Sequence, residues 1–134
     1  MGVAALVTWL VTAAGGATML GMWLAHGGLR ADADQPPALR PPMVFTHVLL
    51  AATGLVLWIV YLFTDNRPLA WVAFAVLVVV AVLGDLMFFH WHEAWRRHAE
   101  GAARFPRVVV FGHGVFAVAT VVLVLLTALG VERN

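Results

Sequence analysis

The residue types in this sequence that could do chemistry are histidine and a single aspartate inside an apolar stretch. There are six histidines: His26, His47, His90, His92, His98 and His113. Neutral imidazole is a common metal ligand and titrates near neutrality, so histidines brought together suggest metal or cofactor ligation, or proton transfer. Asp85 would be costly alone in an apolar medium and calls for a partner. Other chemistries are closed off. The chain has no cysteine and no serine, which excludes disulfides, thiolate and iron–sulfur ligation, covalent c-type haem attachment, and Ser/His/Asp or Cys/His nucleophiles. There is no phosphate-binding loop and no Gly-rich dinucleotide loop.

The elements that must carry these residues follow from composition. Of 134 residues, 63% are hydrophobic and 11% charged, far more apolar than a soluble domain. Mean hydropathy is +0.92. A net charge of +1, without basic runs, gives no basis for nucleic-acid binding. A membrane span needs roughly 20 mainly apolar residues, and four stretches qualify: about 3–25, 43–63, 69–89 and 108–129. They are separated by the proline-rich segment Gly27–Pro42, the turn Thr64–Pro68 and the charged segment Trp91–Arg107. The first stretch lacks a basic start and a small-residue cleavage motif, so it reads as a helix and not a signal peptide. The expected fold is all-α: one integral membrane up-down four-helix bundle, with helices 1 and 3 diagonal and helices 2 and 4 diagonal.

We label the end of the bundle nearest both termini the A end and the opposite one the B end. Arg30, Arg40, Arg96, Arg97, Arg104 and Arg107 fall at B, against Arg67 and Arg133 at A. The positive-inside rule then predicts a multi-pass protein of the cell membrane with B cytoplasmic and both termini outside. All eight basic residues are arginine, a composition bias for which we expect a bacterial source. Trp23, Trp91 and Trp95 near B, and Trp58 and Trp71 near A, are expected to form interfacial belts.

All six histidines belong to the B half. His90, His92 and His98 suit an interfacial position, whereas His47 and His113 lie within spans, as does Asp85. Helical phase groups them further. Asp85 and His92 are seven apart and fall within about 20° of one face. His47, Ala51 and Gly54 form a stripe of shrinking side chains, and Gly112 and Gly114 flank His113.

The leading expectation is one b-type haem with His47 and His113 as axial ligands from diagonal helices. Gly54, Gly112 and Gly114 would supply clearance, Asp85 would accept a ligand's Nδ1 proton, and Arg40, Arg96, Arg97 or Arg107 would pair with the propionates. In layout this resembles small four-helix membrane cytochromes of the b type, with few helices, facing histidines and glycine near the ligands. The resemblance implies electron transfer; unlike carriers that stack two haems, the A half here has no histidine. A second expectation is a bare copper, zinc or non-haem iron site built from His26, His47, His92 and His113 with Asp85, and Met19 and Met22 beside His26 would suit copper(I). His90-Trp91-His92-Glu93 with His98 resembles the histidine boxes of membrane di-iron oxygenases but lacks their H-x-x-H-H repeats. A third is a non-catalytic accessory subunit of a larger membrane complex. Partners expected are the lipid bilayer, a quinone or membrane redox protein, and other copies or subunits. Thr8, Thr12 and Thr120 are the only hints of a polar route towards A.

Overall fold

The computed structural model describes residues 1–30, 39–97 and 105–131. It is all-helical among those residues: α1 is Gly2–Ala25, α2 Pro41–Thr64, α3 Arg67–Arg96 and α4 Arg107–Leu129. All four are long and apolar enough to cross a bilayer. Proline sets three of the starts. It occupies the first turn of α2 and of α3, where its missing N–H costs nothing, and Pro106 is the N-cap of α4. The α2–α3 turn is tight, closed by Asp65 in the left-handed region at φ 49°. Gly130 ends α4 at φ 78°, and the Arg67 guanidinium donates to the Ala128 carbonyl there at 3.2 Å.

One boundary differs from expectation. Helix α3 has 30 residues, about 45 Å of helix against a hydrocarbon core of about 30 Å. The sequence from Trp91 to Arg96, expected as part of a loop, continues the helix. Its charged residues fit that continuation: Glu93 and Arg97 pair at 2.8 Å one turn apart.

The helices form a ring in chain order. The most extensive contacts are α1 with α4 and α2 with α3, while α3–α4 and α1–α2 touch less. The bundle is therefore two close helix pairs laid against each other. Its core sits in the A half, where Ala5, Trp9, Trp58, Ala70, Ala73, Leu77, Val124 and Ala128 form one buried cluster. Alanines opposite the two indoles let large and small side chains interdigitate. Trp58 is fully buried and its Nε1–H donates to the Gly2 carbonyl at 3.2 Å. Gly54 exists for the same packing: a Cβ there would lie 3.1 Å from the Trp9 ring and 3.3 Å from Val76.

The expected tryptophan belts are only partly found. Trp71 is exposed, but Trp23, Trp58 and Trp91 are buried in the bundle, since the helix pairs turn these faces towards each other. Trp9, not singled out from the sequence, belongs to the same set.

Candidate functional site

Beyond the A-half core the packing changes. No residue of 10–22 in α1, 45–53 in α2, 81–90 in α3 or 107–119 in α4 is buried. At the B end Trp23, Val44 and Trp91 are buried again, with Trp23 edge-on to Phe45 at 6.1 Å. The intervening layer is where His47 and His113 sit, both half-buried.

The two imidazoles face each other across the bundle from the diagonal helices α2 and α4. Their ring centroids are 6.5 Å apart with planes inclined by 57°. Each ring is fixed by the neighbouring helix of its own pair. His47 Nδ1 is 3.1 Å from the Val80 carbonyl oxygen of α3, and His113 Nδ1 is 2.8 Å from the Thr12 carbonyl oxygen of α1. A carbonyl can only accept, so Nδ1 carries the proton in both rings. In the neutral imidazole that leaves the Nε2 lone pair free for a ligand.

Glycine makes these bonds possible. A Cβ on Gly84 would lie 3.3 Å from His47 Cε1. Cβ atoms on Gly15 and Gly16 would lie 3.5 Å and 3.2 Å from His113 atoms. At Gly84 and Gly16 these distances are tight, whereas that at Gly15 is ordinary van der Waals contact, so at Gly84 and Gly16 the imidazoles approach the helix closely because no side chain intervenes. The arrangement is repeated on the two sides of the bundle: a histidine, a backbone carbonyl on the adjacent helix, and glycine beneath the ring.

The remaining residues singled out from the sequence lie elsewhere. Gly54 is filled by Trp9 as described. Gly112 and Gly114 have open space where a Cβ would stand, with nothing within 4 Å. Asp85 is exposed, and the acceptors of both Nδ1 protons are backbone carbonyls, the role expected of its carboxylate. His26 and His90 are exposed, and their Nδ1 atoms lie 2.7 Å and 2.6 Å from the carbonyls of Met22 and Leu86 on their own helices. His92 is stacked between Phe88 and Trp95, each centroid 6.0 Å away. His98 and Arg104 lie outside the described residues. Among the described residues no three His, Asp or Glu side chains come together as a metal-ligand set. The hydroxyls of Thr8, Thr12 and Thr120 donate to the carbonyls of Ala5, Thr8 and Phe116 on their own helices. This is the ordinary behaviour of intrahelical threonine.

Two features of the site have no signature among the side chains. Gly84 stands one residue before Asp85, and it is the glycine that meets His47. The acceptors are main-chain atoms of Val80 and Thr12, which no side-chain pattern reveals. Two imidazoles on opposite sides of one metal ion, at metal–nitrogen bonds of about 2 Å, have ring centres about 6 Å apart. The observed separation and tautomers fit that donor set. Comparison with protein-family models, curated proteins and solved structures found no significant match for this chain.

Proposed function

We propose that this chain is a multi-pass membrane protein that holds one b-type haem between His47 and His113 and takes part in electron transfer. The observation that carries the reading is the facing imidazole pair, 6.5 Å apart between centroids, with each Nδ1 bound to a carbonyl of the adjacent helix. A porphyrin brings four equatorial nitrogens and needs only two axial ligands from the protein. Copper, zinc or non-haem iron takes three or four protein ligands in most sites, so the two-histidine set suits haem better.

The chain's own groups have separable parts. His47 and His113 would bind the iron through Nε2. The Val80 and Thr12 carbonyls would orient the rings and raise their basicity. Gly16 and Gly84 admit the imidazoles. At the B end Arg97 is engaged with Glu93 and Arg107 lies 4.1 Å over the Trp95 ring, which leaves Arg40 and Arg96 as the better partners for the propionates. Bound there, the haem would accept and release single electrons. The tightly packed A half separates the site from the far face, so electrons would enter and leave near B. The excess of arginine at B supports a cytoplasmic location for that side.

The test is optical. Protein purified with haem supplied should show a Soret band and a pyridine haemochrome of about one b-type haem per chain. His47→Ala and His113→Ala should each lose most of it. A colourless wild type with stoichiometric copper, zinc or iron would replace haem by a bare metal. A colourless, metal-free protein that co-purifies with other subunits would favour the accessory-subunit role.

A further inference from the structure

Asp85 is the feature the haem reading leaves unused. It is exposed on a helix whose exposed side chains near it are Val78, Val82, Leu86 and Phe89. It makes no hydrogen bond or ion pair among the described residues. A carboxylate facing lipid inside a span is costly, and such residues are almost always paired.

Thr46 of α2 is the matching donor. Every other threonine of the chain donates its hydroxyl to a carbonyl of its own helix, the ordinary arrangement in an apolar span. Thr46 is exposed within a span and makes no hydrogen bond among the described residues. Its proton is left for an acceptor outside the chain.

The two residues stand at one depth. Gly54 of α2 is met by Val76 of α3. The helices are antiparallel, so eight residues towards B from that contact lie Thr46 on α2 and Gly84 on α3. The approach of His47 to Gly84 agrees with this register. Asp85 is the next residue, about 1.5 Å further along the axis. Copies of one membrane protein insert in the same orientation. A two-fold axis along the membrane normal then keeps every residue at its own depth, so only residues that share a level can meet across it. Thr46 and Asp85 satisfy that condition for each other.

Other donors fit less well. No span contains arginine or lysine, and the exposed Thr18 and Thr53 have committed their protons to their own helices. His90 is exposed but lies five residues nearer B, about 7.5 Å from the level of Asp85, with Nδ1 engaged by the Leu86 carbonyl. We propose that two copies of this chain associate side by side through α2 and α3, Thr46 of each donating to Asp85 of the other. The symmetry makes the bond twice and removes both polar groups from lipid. The exposed Leu49, Val82, Leu86 and Phe89 would supply the packing around them. None of this depends on the haem.

The experiment uses the full chain in liposomes. It has no cysteine, so introduced thiols report contacts without background. Chains carrying Thr46→Cys are mixed with differently tagged chains carrying Asp85→Cys and treated with a short thiol cross-linker. A mixed dimer keeps one native Thr46–Asp85 pair, and cross-links between unlike chains should exceed those between like chains. Separately, the dimer fraction of dye-labelled chains is followed against the protein-to-lipid ratio. Asp85→Leu and Thr46→Val should each weaken dimerisation about tenfold or more, the scale of two hydrogen bonds lost from a membrane interface. His90→Leu should leave it unchanged, as should the helical circular dichroism of all three variants. A wild type that stays monomeric at every ratio overturns the proposal, as does a dimer that Asp85→Leu and Thr46→Val both leave intact. Cross-links confined to like chains, or a dimer lost on His90→Leu, overturn the Thr46–Asp85 pairing as well. Coloured protein that is monomeric refutes this interface alone, and colourless protein that dimerises through it refutes the haem alone.

Discussion

The two halves of the bundle are built from the same four helices but solve different packing problems. In the A half, indoles and alanines interlock, and Trp58, Val124 and Thr120 are among its fully buried side chains. In the B half, glycines stand where side chains would otherwise fill the interior, and the inward-facing polar groups are two histidines braced by main-chain carbonyls. Glycine serves both halves, yet against different neighbours: Gly54 admits Trp9, whereas Gly84 and Gly16 admit imidazoles. One half is shaped for stability. The other gives up packing in order to hold two rings at a fixed separation, which is how functional sites commonly depart from the rules that govern cores.

The sharpest way to break this comparison is to damage the A half. Trp58→Ala removes a fully buried indole and its hydrogen bond to Gly2. It should lower stability by about 3–5 kcal/mol, read as an earlier transition in denaturant titration in detergent or lipid. With the proposed haem bound, the Soret band below that transition should keep its position and its intensity per folded protein, because the histidines, their carbonyls and the glycines beneath them are untouched. A Soret band lost in proportion to neither unfolding nor expression would show that the halves are not separable.

Two glycines sharpen the comparison further because their substitutions cost similar amounts. Gly54→Val drives a side chain into Trp9, and Gly84→Val drives one into His47. Overpacking of this kind costs about 1–3 kcal/mol. The stability losses should be comparable, but only Gly84→Val should lose more than half of its haem, measured by pyridine haemochrome. If Gly54→Val bleaches the protein equally, clearance at the ring is not what Gly84 provides.

The sequence makes the helices plain and the site only partly so. Four apolar runs broken by proline pairs, a proline turn and charged segments leave little choice of fold, and the diagonal relation of α2 and α4 follows from short connections. His47 and His113 stand out because each is a polar residue deep in an apolar run. What holds them does not, because a main-chain carbonyl has no signature in the sequence. Asp85 is the obvious acceptor by residue type, yet it is exposed, while Val80 and Gly84 meet His47 of α2. Gly112 and Gly114 neighbour His113 in the chain but lie about 100° to either side of it on the helix, so they flank His113 in sequence without facing its ring. The glycines that matter come from another helix, and a single sequence says nothing of that pairing. Trp23, Trp58 and Trp91 misled for a related reason: position near a helix end does not reveal whether an indole faces lipid or the neighbouring helix.

The smallest effect tests where the halves meet. The hydroxyls of Thr12 and Thr120 approach to 3.5 Å across the α1–α4 interface, the only side-chain polar contact between these helices among the described residues other than the histidine bond. That distance is at the limit for an O–H···O bond, and each hydroxyl is already donating to a carbonyl at 2.8 Å or 2.7 Å on its own helix. Neither hydroxyl has a second proton to give. The coupling energy between Thr12→Val and Thr120→Val in a double-mutant cycle should therefore be under about 0.5 kcal/mol. Haem content should stay at the wild-type level in both, since His113 bonds to the main chain of residue 12 and valine keeps that carbonyl in place. A coupling above about 1 kcal/mol, or bleaching by Thr12→Val, would mean that the hydroxyl pair helps to set the ring, and that the boundary between core and site lies deeper in the A half than the packing suggests.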